Sequence, residues 1–437
     1  MSYPSIETLY SRFLTCSRVC TDTRQLQEGD LFFALKGDNF DGNQFAARAL
    51  AAGAAYAVVD DPQVAVTEQY LLVENTLTTL QELARHRRRQ LNIPILAITG
   101  SNGKTTTKEL IAAVLATTHL THFTQGNFNN HIGVPLTLLA LPDDTEIAVI
   151  EMGANHVGEI AALCEIAEPT HGLITNVGLA HLEGFGGFDG VKRGKSELYR
   201  YLARHKGVAF VNLEEPYLAE LAQGVDRIIG YKLAAHPRVD IPYYELQVKQ
   251  ISPRIEVAFL DARGQFHTIH SQLSGKHNLQ NISTAVAVAK YFKVPAAGIV
   301  AAIENYRPVN NRSQWLEKEG IHYLLDAYNA NPTSMRASLI SFAELADTDK
   351  IAILGDMLEL GNQAATEHLA IAQLAQTLPI GKIYLVGPLF QPAAEQLGIP
   401  HFQDANQLLA AFDRSPWVGK HVLIKGSRGM RLEKIVD

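Results

Sequence analysis

The residues with the clearest chemical potential lie in the run "AITGSNGKTTTKELI", residues 97–111. Ile95–Ile98 are apolar and suit a buried strand, Thr99–Gly103 form a turn, and the residues from Lys104 onward have a helical composition. A strand, a glycine turn and a helix aim unpaired backbone N–H groups and a positive helix end at an anion. Gly100, Asn102, Gly103, Lys104, Thr105 and Thr106 are therefore candidates for nucleotide phosphates. Lys104 adds a mobile charge for the outer phosphates, and the Thr105 hydroxyl suits Mg²⁺. The usual phosphate loop carries a glycine where Ile98 stands, so the spacing here is the shorter Gly100-x-x-Gly103-Lys104-Thr105.

Further polar groups follow later strands of the same region. Glu151 ends the strand Ile147–Glu151 and opens "EMGANHVGE"; His181 and Lys195 lie in "NVGLAHLEGFGGFDGVKRGKSEL" after a strand at Gly172–Asn176. In parallel sheets ligands bind beyond the carboxyl ends of the strands, so these groups share a rim with the glycine turn. Hydroxyl, carboxylate and phosphate oxygens suit Mg²⁺. Glu151 reads either as a metal ligand or as a carboxylate at a helix N-terminus. Read alone, His181 is equally an ordinary hydrogen-bonded loop histidine, and spacing makes Lys195 an exposed helix lysine. In "GKHNLQN", Asn278 and Asn281 share a helix face that either meets a base edge or caps the helix. Asp326 precedes Tyr328-Asn329-Ala330-Asn331-Pro332, which is either a carboxylate receptor at a helix start or an Asx turn.

These residues must be held by several folding units, because 437 residues exceed one ordinary core. The pattern is α/β throughout, in three domains. Residues 1–92 form a small α/β domain, with strands at Leu31–Leu35 and Tyr56–Val59 and a helix at Phe45–Ala52. Residues 93–308 form a central domain with the phosphate loop and a mostly parallel sheet. Its strands are Ile95–Ile98, Ile147–Glu151, Gly172–Asn176 and Val208–Asn212, followed by a β-rich insert at Ile241–Ile269 and helices at Asn278–Tyr291 and Ala296–Glu304. "YRPVNNRSQW" reads as a linker. Residues 309–437 form a Rossmann-like domain with strands near His322–Asp326, Lys350–Leu354, Lys382–Val386 and His421–Lys425.

Bulk properties exclude several classes. A net charge of −7 argues against a nucleic-acid binder. The basic run Arg85–Arg89 reads as the solvated, dipole-compensating end of a helix. Three cysteines make neither a metal cluster nor a disulfide framework. No signal pattern or lipid-like segment stands out, so a soluble cytoplasmic protein without membrane insertion is expected.

Taken together, the phosphate loop, "GNFNNHIGVPLTLL" (Gly126–Leu139), "DAYNANPTSM" and "LGDMLELG" (Leu354–Gly361) resemble the ATP-dependent Mur ligases of bacterial cell-wall synthesis, over nearly the whole chain. The C-terminal runs resemble the member that joins D-alanyl-D-alanine to UDP-N-acetylmuramoyl-tripeptide. The resemblance implies an acyl-phosphate route. ATP phosphorylates the tripeptide carboxylate, and the dipeptide amine then displaces phosphate.

By the same resemblance Lys104, Lys195 and His181 are catalytic, and Thr105, Glu151, His181 and Lys195 serve two Mg²⁺ ions, Lys195 as a CO₂-derived carbamate. Asn278, Arg312 and Asp326 contact the nucleotide. Thr23, Arg24, Lys36, Gly37, Asp41 and Gly42 would bind the uridine-diphosphate sugar in the first domain. Asn127, Asn129 and Asn130, with Tyr328, Asn329 and Asn331, complete the substrate set. Lys425, Ser427 and Arg428 match a further family run, and a monomer is expected. Where the family has paired aspartates and a serine, this chain has Leu325-Asp326-Ala327, so one acidic group is missing. No run reads the third peptide residue, so lysine and diaminopimelate both fit. The rivals are a sister ligase, adding that third residue or glutamates to a folate, and a nucleotide-gated binding or transport protein without ligation.

Overall fold

The computed structural model describes residues 3–233, 241–252, 254–308, 311–345, 349–411 and 414–436. Positions 309 and 310 of the expected linker and 253 of the expected β-rich insert lie outside the described residues. Among the described residues the strands form three main sheets and one short hairpin.

The first sheet runs Val19–Cys20, Leu31–Phe33, Tyr56–Val59, Tyr70–Leu72, all parallel. The hairpin Lys36–Gly37/Phe40–Asp41 stands beside it. The helix Thr76–Gln90 leads out of this region, its first turn closed by the Asn75 side chain, which accepts from Thr78 N.

The central sheet places Ile95–Thr99 between His171–Ile174 and Ile147–Glu151. Thr121–Phe123 closes one edge; Val208–Asn212, Arg227–Leu233 and Tyr243–Gln250 extend the other, still parallel. All five residues of Ile95–Thr99 are buried, as expected for a strand covered on both faces. The chain crosses from Ile147–Glu151 to His171–Ile174 over this strand, so the crevice beyond its carboxyl end is a topological switch point. The strands of the expected β-rich insert extend the central sheet. Tyr243–Gln250 joins the sheet in parallel, and Glu256–Leu260 and Phe266–His270 continue it antiparallel. Along these strands apolar and polar residues alternate, because they cover the core on one face only.

The third sheet runs Gln314–Lys318, Ile321–Asp326, His421–Lys425, Lys350–Gly355, Lys382–Val386, His401–Phe402, parallel except for its first pair. One apolar cluster threads all three regions, from Leu83 through Val134 and Leu182 to Met335 and Phe342. The domains are therefore packed against one another in this conformation.

The basic run Arg85–Arg89 departs from its solvated reading. Arg87 and Arg88 are buried. Arg87 donates to Leu141 O at 2.6 Å and Asp143 Oδ1 at 2.5 Å, and Arg88 to Leu91 O at 2.7 Å and Ala167 O at 3.1 Å. Two guanidiniums thus satisfy backbone carbonyls where the helix meets the central domain. Only Arg89, paired with Glu168, keeps a largely exposed side chain of the three. A helix-dipole argument sees local sequence alone and misses such partners.

Candidate active site

The phosphate turn is shaped by glycine. Gly103 stands at the helix start with φ +79° and Gly100 has φ +141°, both in the left-handed half of backbone space. A Cβ at Gly100 would lie 2.0 Å from Thr175 Oγ1, and one at Gly103 2.7 Å from Asn281 Oδ1. The next strand's loop braces the turn. Thr175 Oγ1 donates to Asn102 O at 2.6 Å, Asn102 N donates to Asn176 Oδ1 at 3.0 Å, and Gly178 N donates to Ser101 Oγ at 2.9 Å. Lys104, on the helix Lys104–Leu115, folds back to donate from Nζ to Gly100 O at 2.7 Å. Burial depresses its pKa, and Glu151 partly offsets the effect.

Glu151 is almost fully buried at the strand end. Its Oε2 accepts from Thr105 Oγ1 at 3.0 Å and its Oε1 from Asn129 Nδ2 at 2.8 Å. Lys108 Nζ, also buried, lies 3.5 Å from Oε2. The helix-terminus alternative for Glu151 is set aside, because its hydrogen-bond partners are side chains of the phosphate helix and the asparagine loop. Lys108 escaped the sequence reading although its spacing from Lys104 puts both on one helix face.

Lys195 ends the helix Phe188–Lys195 and is 1% exposed, not the solvated lysine its spacing suggested. Its Nζ donates to Ala154 O at 3.2 Å and lies 5.1 Å from the Phe185 ring centroid. Burial, reinforced by Lys104, holds this amine well below the ordinary lysine pKa, which favours the neutral form. His181 takes a left-handed backbone (φ +54°), and its Nδ1 meets the Glu359 carboxylate from "LGDMLELG". That partner was not legible in sequence.

Asn278 and Asn281 do not cap their helix, whose N-cap position is Gly275. Asn281 accepts from Thr107 Oγ1 at 3.0 Å and donates to Asn278 Oδ1 at 3.1 Å, which locks Asn281 between two helices. Asn278 also donates to Ser274 O at 3.0 Å, and both asparagines line the cleft.

The C-terminal sheet brings the opposite wall. Asn331 caps the helix Pro332–Ala343 in a reciprocal box with Ser334, and its Nδ2 donates to Asn102 Oδ1 at 2.7 Å, so it touches the phosphate loop directly. Arg312 stacks on Tyr328 at 3.7 Å, and Arg428 stands 4.9 Å from the same ring. Asp326 accepts from Lys425 Nζ at 2.6 Å and Ser338 Oγ at 2.7 Å. Burial alone would raise the Asp326 pKa, but Lys425 and Ser338 hold it below the usual carboxylate range. Ser427 Oγ accepts from Leu358 N at 3.0 Å and so anchors the run that carries Glu359. Leu325 and Ala327 alternate with Asp326 and pack into the core on the other side of the sheet. The missing family acid therefore stands where this chain needs apolar packing.

These walls enclose a cleft of about 820 Å³. Among the singled-out residues, Asn102–Thr106, Asn127, Asn129, Asn130, Glu151 and His181 line it from the central domain. Asn278, Asn281, Arg312, Asp326, Tyr328, Asn329, Asn331 and Lys425 complete the lining among them. Gly100 and Lys195 lie behind it. Thr23, Arg24, Lys36, Gly37, Asp41 and Gly42 are not part of this cleft: Arg24 is highly exposed and paired with Asp22, Lys36 pairs with Asp60 at 2.9 Å, and Asp41 accepts from Asn43 N at 2.9 Å. Thr105 and Glu151 present hard oxygens side by side. Among the described residues no group of three or more His, Cys, Asp or Glu gathers for a metal. That donor set fits Mg²⁺, which takes few protein ligands beside phosphate and water.

Comparison with known proteins follows the same three regions. The family models described as the Mur ligase family catalytic domain, the Mur ligase middle domain and the Mur ligase glutamate ligase domain match residues 15–88, 98–289 and 311–428. The UDP-N-acetylmuramoyl-tripeptide–D-alanyl-D-alanine ligase of Bacillus subtilis (strain 168) is 35% identical over 429 residues, covering 96% of this chain and 92% of its own length. The ligase of the same name from Escherichia coli (strain K12) is 32% identical, covering 97% and 93%. A crystal structure of MurF from Acinetobacter baumannii superposes with a TM-score of 0.86 at 30% identity, covering 100% of this chain and 98% of that one. MurF from Thermotoga maritima in complex with ADP gives 0.80 at 26%, covering 97% of each.

Proposed function

The chain belongs to the Mur ligase family, and from that premise we infer that it joins D-alanyl-D-alanine to UDP-N-acetylmuramoyl-tripeptide at the expense of ATP. The observation that carries the reading is the direct bond between Asn331 of the Tyr-Asn-Ala-Asn-Pro run and Asn102 of the phosphate loop. A phosphoryl donor on the loop and an acceptor amine near this run would meet in one cleft.

The chemistry requires such a meeting. A carboxylate does not condense with an amine in water, because oxide is a poor leaving group. Transfer of the ATP γ-phosphoryl to the tripeptide carboxylate forms a C–O–P link and releases ADP. Attack by the dipeptide amine then forms the C–N bond, expels phosphate and loses one proton. The first step brings two anions together, so concentrated positive charge and exclusion of water supply most of the acceleration.

Lys104 is placed for the outer phosphates by the turn that it now bonds. Asn102, Gly103 and Thr106 hold the loop N–H groups toward the anion. Thr105 and Glu151 would hold Mg²⁺, which when bound neutralises phosphate charge as a Lewis acid. Asn278, Arg312 and Asp326 face the nucleoside end; Asn127, Asn129, Asn130, Tyr328 and Asn329 face the peptide and dipeptide. Lys195, whose charged form burial disfavours, can in its neutral form add to CO₂: its nitrogen bonds the carbon, a proton leaves, and the resulting carbamate with His181 would suit a second Mg²⁺. Thr23, Arg24, Lys36, Gly37, Asp41 and Gly42 form the remote uridine-diphosphate site. The three units follow the boundaries 1–92, 93–308 and 309–437. One chain supplies every wall of the cleft, in keeping with a monomer, and ATP-coupled synthesis of a nucleotide-linked precursor places the protein in the cytoplasm. Among the described residues no helix is long and apolar enough to cross a membrane.

A substrate panel tests the reading. ADP release should require both the nucleotide-linked tripeptide and D-alanyl-D-alanine. Release with single amino acids on a shorter peptide, or with glutamate on a folate, would identify a sister ligase. Phosphate release indifferent to any amine would identify a nucleotide-gated protein.

A further inference from the structure

Lys108 is a charged partner of Glu151 that none of the roles above employs. Its side chain is 1% exposed, it shares a helix with Lys104 and Thr105, and its Nζ stands 3.5 Å from Glu151 Oε2. The same Nζ donates to Gly126 O at 3.3 Å, at the start of the loop that carries Asn127, Asn129 and Asn130. Protein groups thereby meet Glu151 at both carboxylate oxygens and at its backbone N–H. Thr105 and Lys108 meet one oxygen, Asn129 bonds the other, and Thr124 Oγ1 accepts from the Glu151 backbone N–H at 3.0 Å.

An ion pair this deep is a poor source of stability, since desolvating two charges offsets most of their attraction. The contact is also long for a charge-assisted hydrogen bond. Its effect on a divalent cation is large, however. An ammonium beside the carboxylate repels a second cation at that oxygen, and the repulsion is strong where water is excluded. Lys108 also cannot simply swing into solvent, being enclosed by Glu151, the Gly126 carbonyl and the Phe123 ring, whose centroid is 5.9 Å away.

We propose that Lys108 is a charge lock on Glu151, a positioning residue that keeps the carboxylate from accepting a divalent cation until nucleotide phosphates enter the cleft. The proposal rests on the assignment of Thr105 and Glu151 to the cation. Free Mg²⁺ meets a carboxylate already balanced by an ammonium. A nucleotide brings additional negative charge and its own oxygen ligands, which outweigh the repulsion that Lys108 exerts on the cation. Cation and nucleotide binding become coupled, and the coupling is reciprocal. The phosphate site is spared a bare cation that would attract inorganic anions.

The test is direct Mn²⁺ binding, followed by electron paramagnetic resonance, to the whole protein with and without a non-hydrolysable ATP analogue. Wild type should bind Mn²⁺ weakly alone and much more tightly with the analogue. Lys108→Met should tighten nucleotide-free Mn²⁺ binding by roughly tenfold or more, as expected for removing a like charge in a poorly hydrated site. Lys108→Arg, which keeps the charge, should behave as wild type. Should Lys108→Met not fold, Lys108→Gln retains a donor for the Gly126 carbonyl and carries the same expectation. Unchanged nucleotide-free Mn²⁺ affinity in the uncharged variant overturns the proposal, as does tight nucleotide-free binding by wild type. Failure of wild type to bind Mn²⁺ even with the analogue would overturn the cation assignment itself, and this inference with it.

Discussion

The phosphate wall and the first-domain run Thr23–Gly42 are both rich in polar residues, yet they are built on opposite principles. On the phosphate wall two central groups are held from distant parts of the chain: Asn102 by Thr175, Asn176 and Asn331, and Glu151 by Thr105 and Asn129. The candidate side chains of the first-domain run instead bond to near neighbours, as Arg24 to Asp22 and Asp41 to Asn43, or from an exposed position, as Lys36 to Asp60. The difference teaches where preorganisation is needed. Charge that must be stabilised during phosphoryl transfer requires donors fixed in advance. A remote anchoring group can be ordered by the substrate, at some cost in affinity and little in rate.

The largest break in this contrast should come from Lys104→Ala. Turnover should fall by about a thousandfold or more even at saturating ATP, as for loss of a principal charge in a preorganised site. The circular-dichroism melting curve should stay near wild type, because Lys104 bonds only loop carbonyls. Nearly as large is the loss expected for Lys195→Ala. It should be restored in part by added formate or acetate, which can replace a carbamate; ¹³C-bicarbonate should label wild type but not the variant in NMR spectra. Failure of rescue together with an unlabelled wild-type lysine would remove the carbamate from the account.

Much of this wall was legible because its signals are local. The glycine turn, the strand Ile147–Glu151 and the helix start after Tyr328–Pro332 each follow from a few consecutive residues. What stayed hidden needs partners far along the chain. Lys108 drew no notice in the sequence because its partner Glu151 lies 43 residues away, and Glu359 carried no mark of its meeting with His181. Arg87 and Arg88 were misread for the same reason, as the carbonyls of Leu141 and Ala167 leave no trace near residue 88. The strands after Tyr243 looked like an insert because their alternating pattern does not say which sheet they join. Conversely, the missing acid at Leu325 looked like a defect until alternation along the strand turned that position into the core.

Two smaller effects sharpen the comparison. Arg24→Ala should raise KM for the nucleotide-linked tripeptide by about tenfold, the cost of one charge-assisted contact. KM for ATP and the melting temperature should not move, since Arg24 is exposed and its protein partner is two residues away. An equal effect on KM for ATP would contradict the division of labour between the regions. Arg88→Met should leave saturated turnover within about twofold while destabilising the protein by about 1–3 kcal/mol, because several buried carbonyls lose their donor. Denaturant unfolding measures that loss, and an unchanged midpoint would show that the buried guanidinium is dispensable.

The account depends most on the activated carboxylate. Tripeptide substrate labelled with ¹⁸O in its terminal carboxyl group should pass one labelled oxygen to inorganic phosphate for each amide bond formed, read as an isotope shift in the ³¹P spectrum. Phosphate that carries no label, while the pentapeptide product accumulates, would mean that the peptide carboxylate was never phosphorylated.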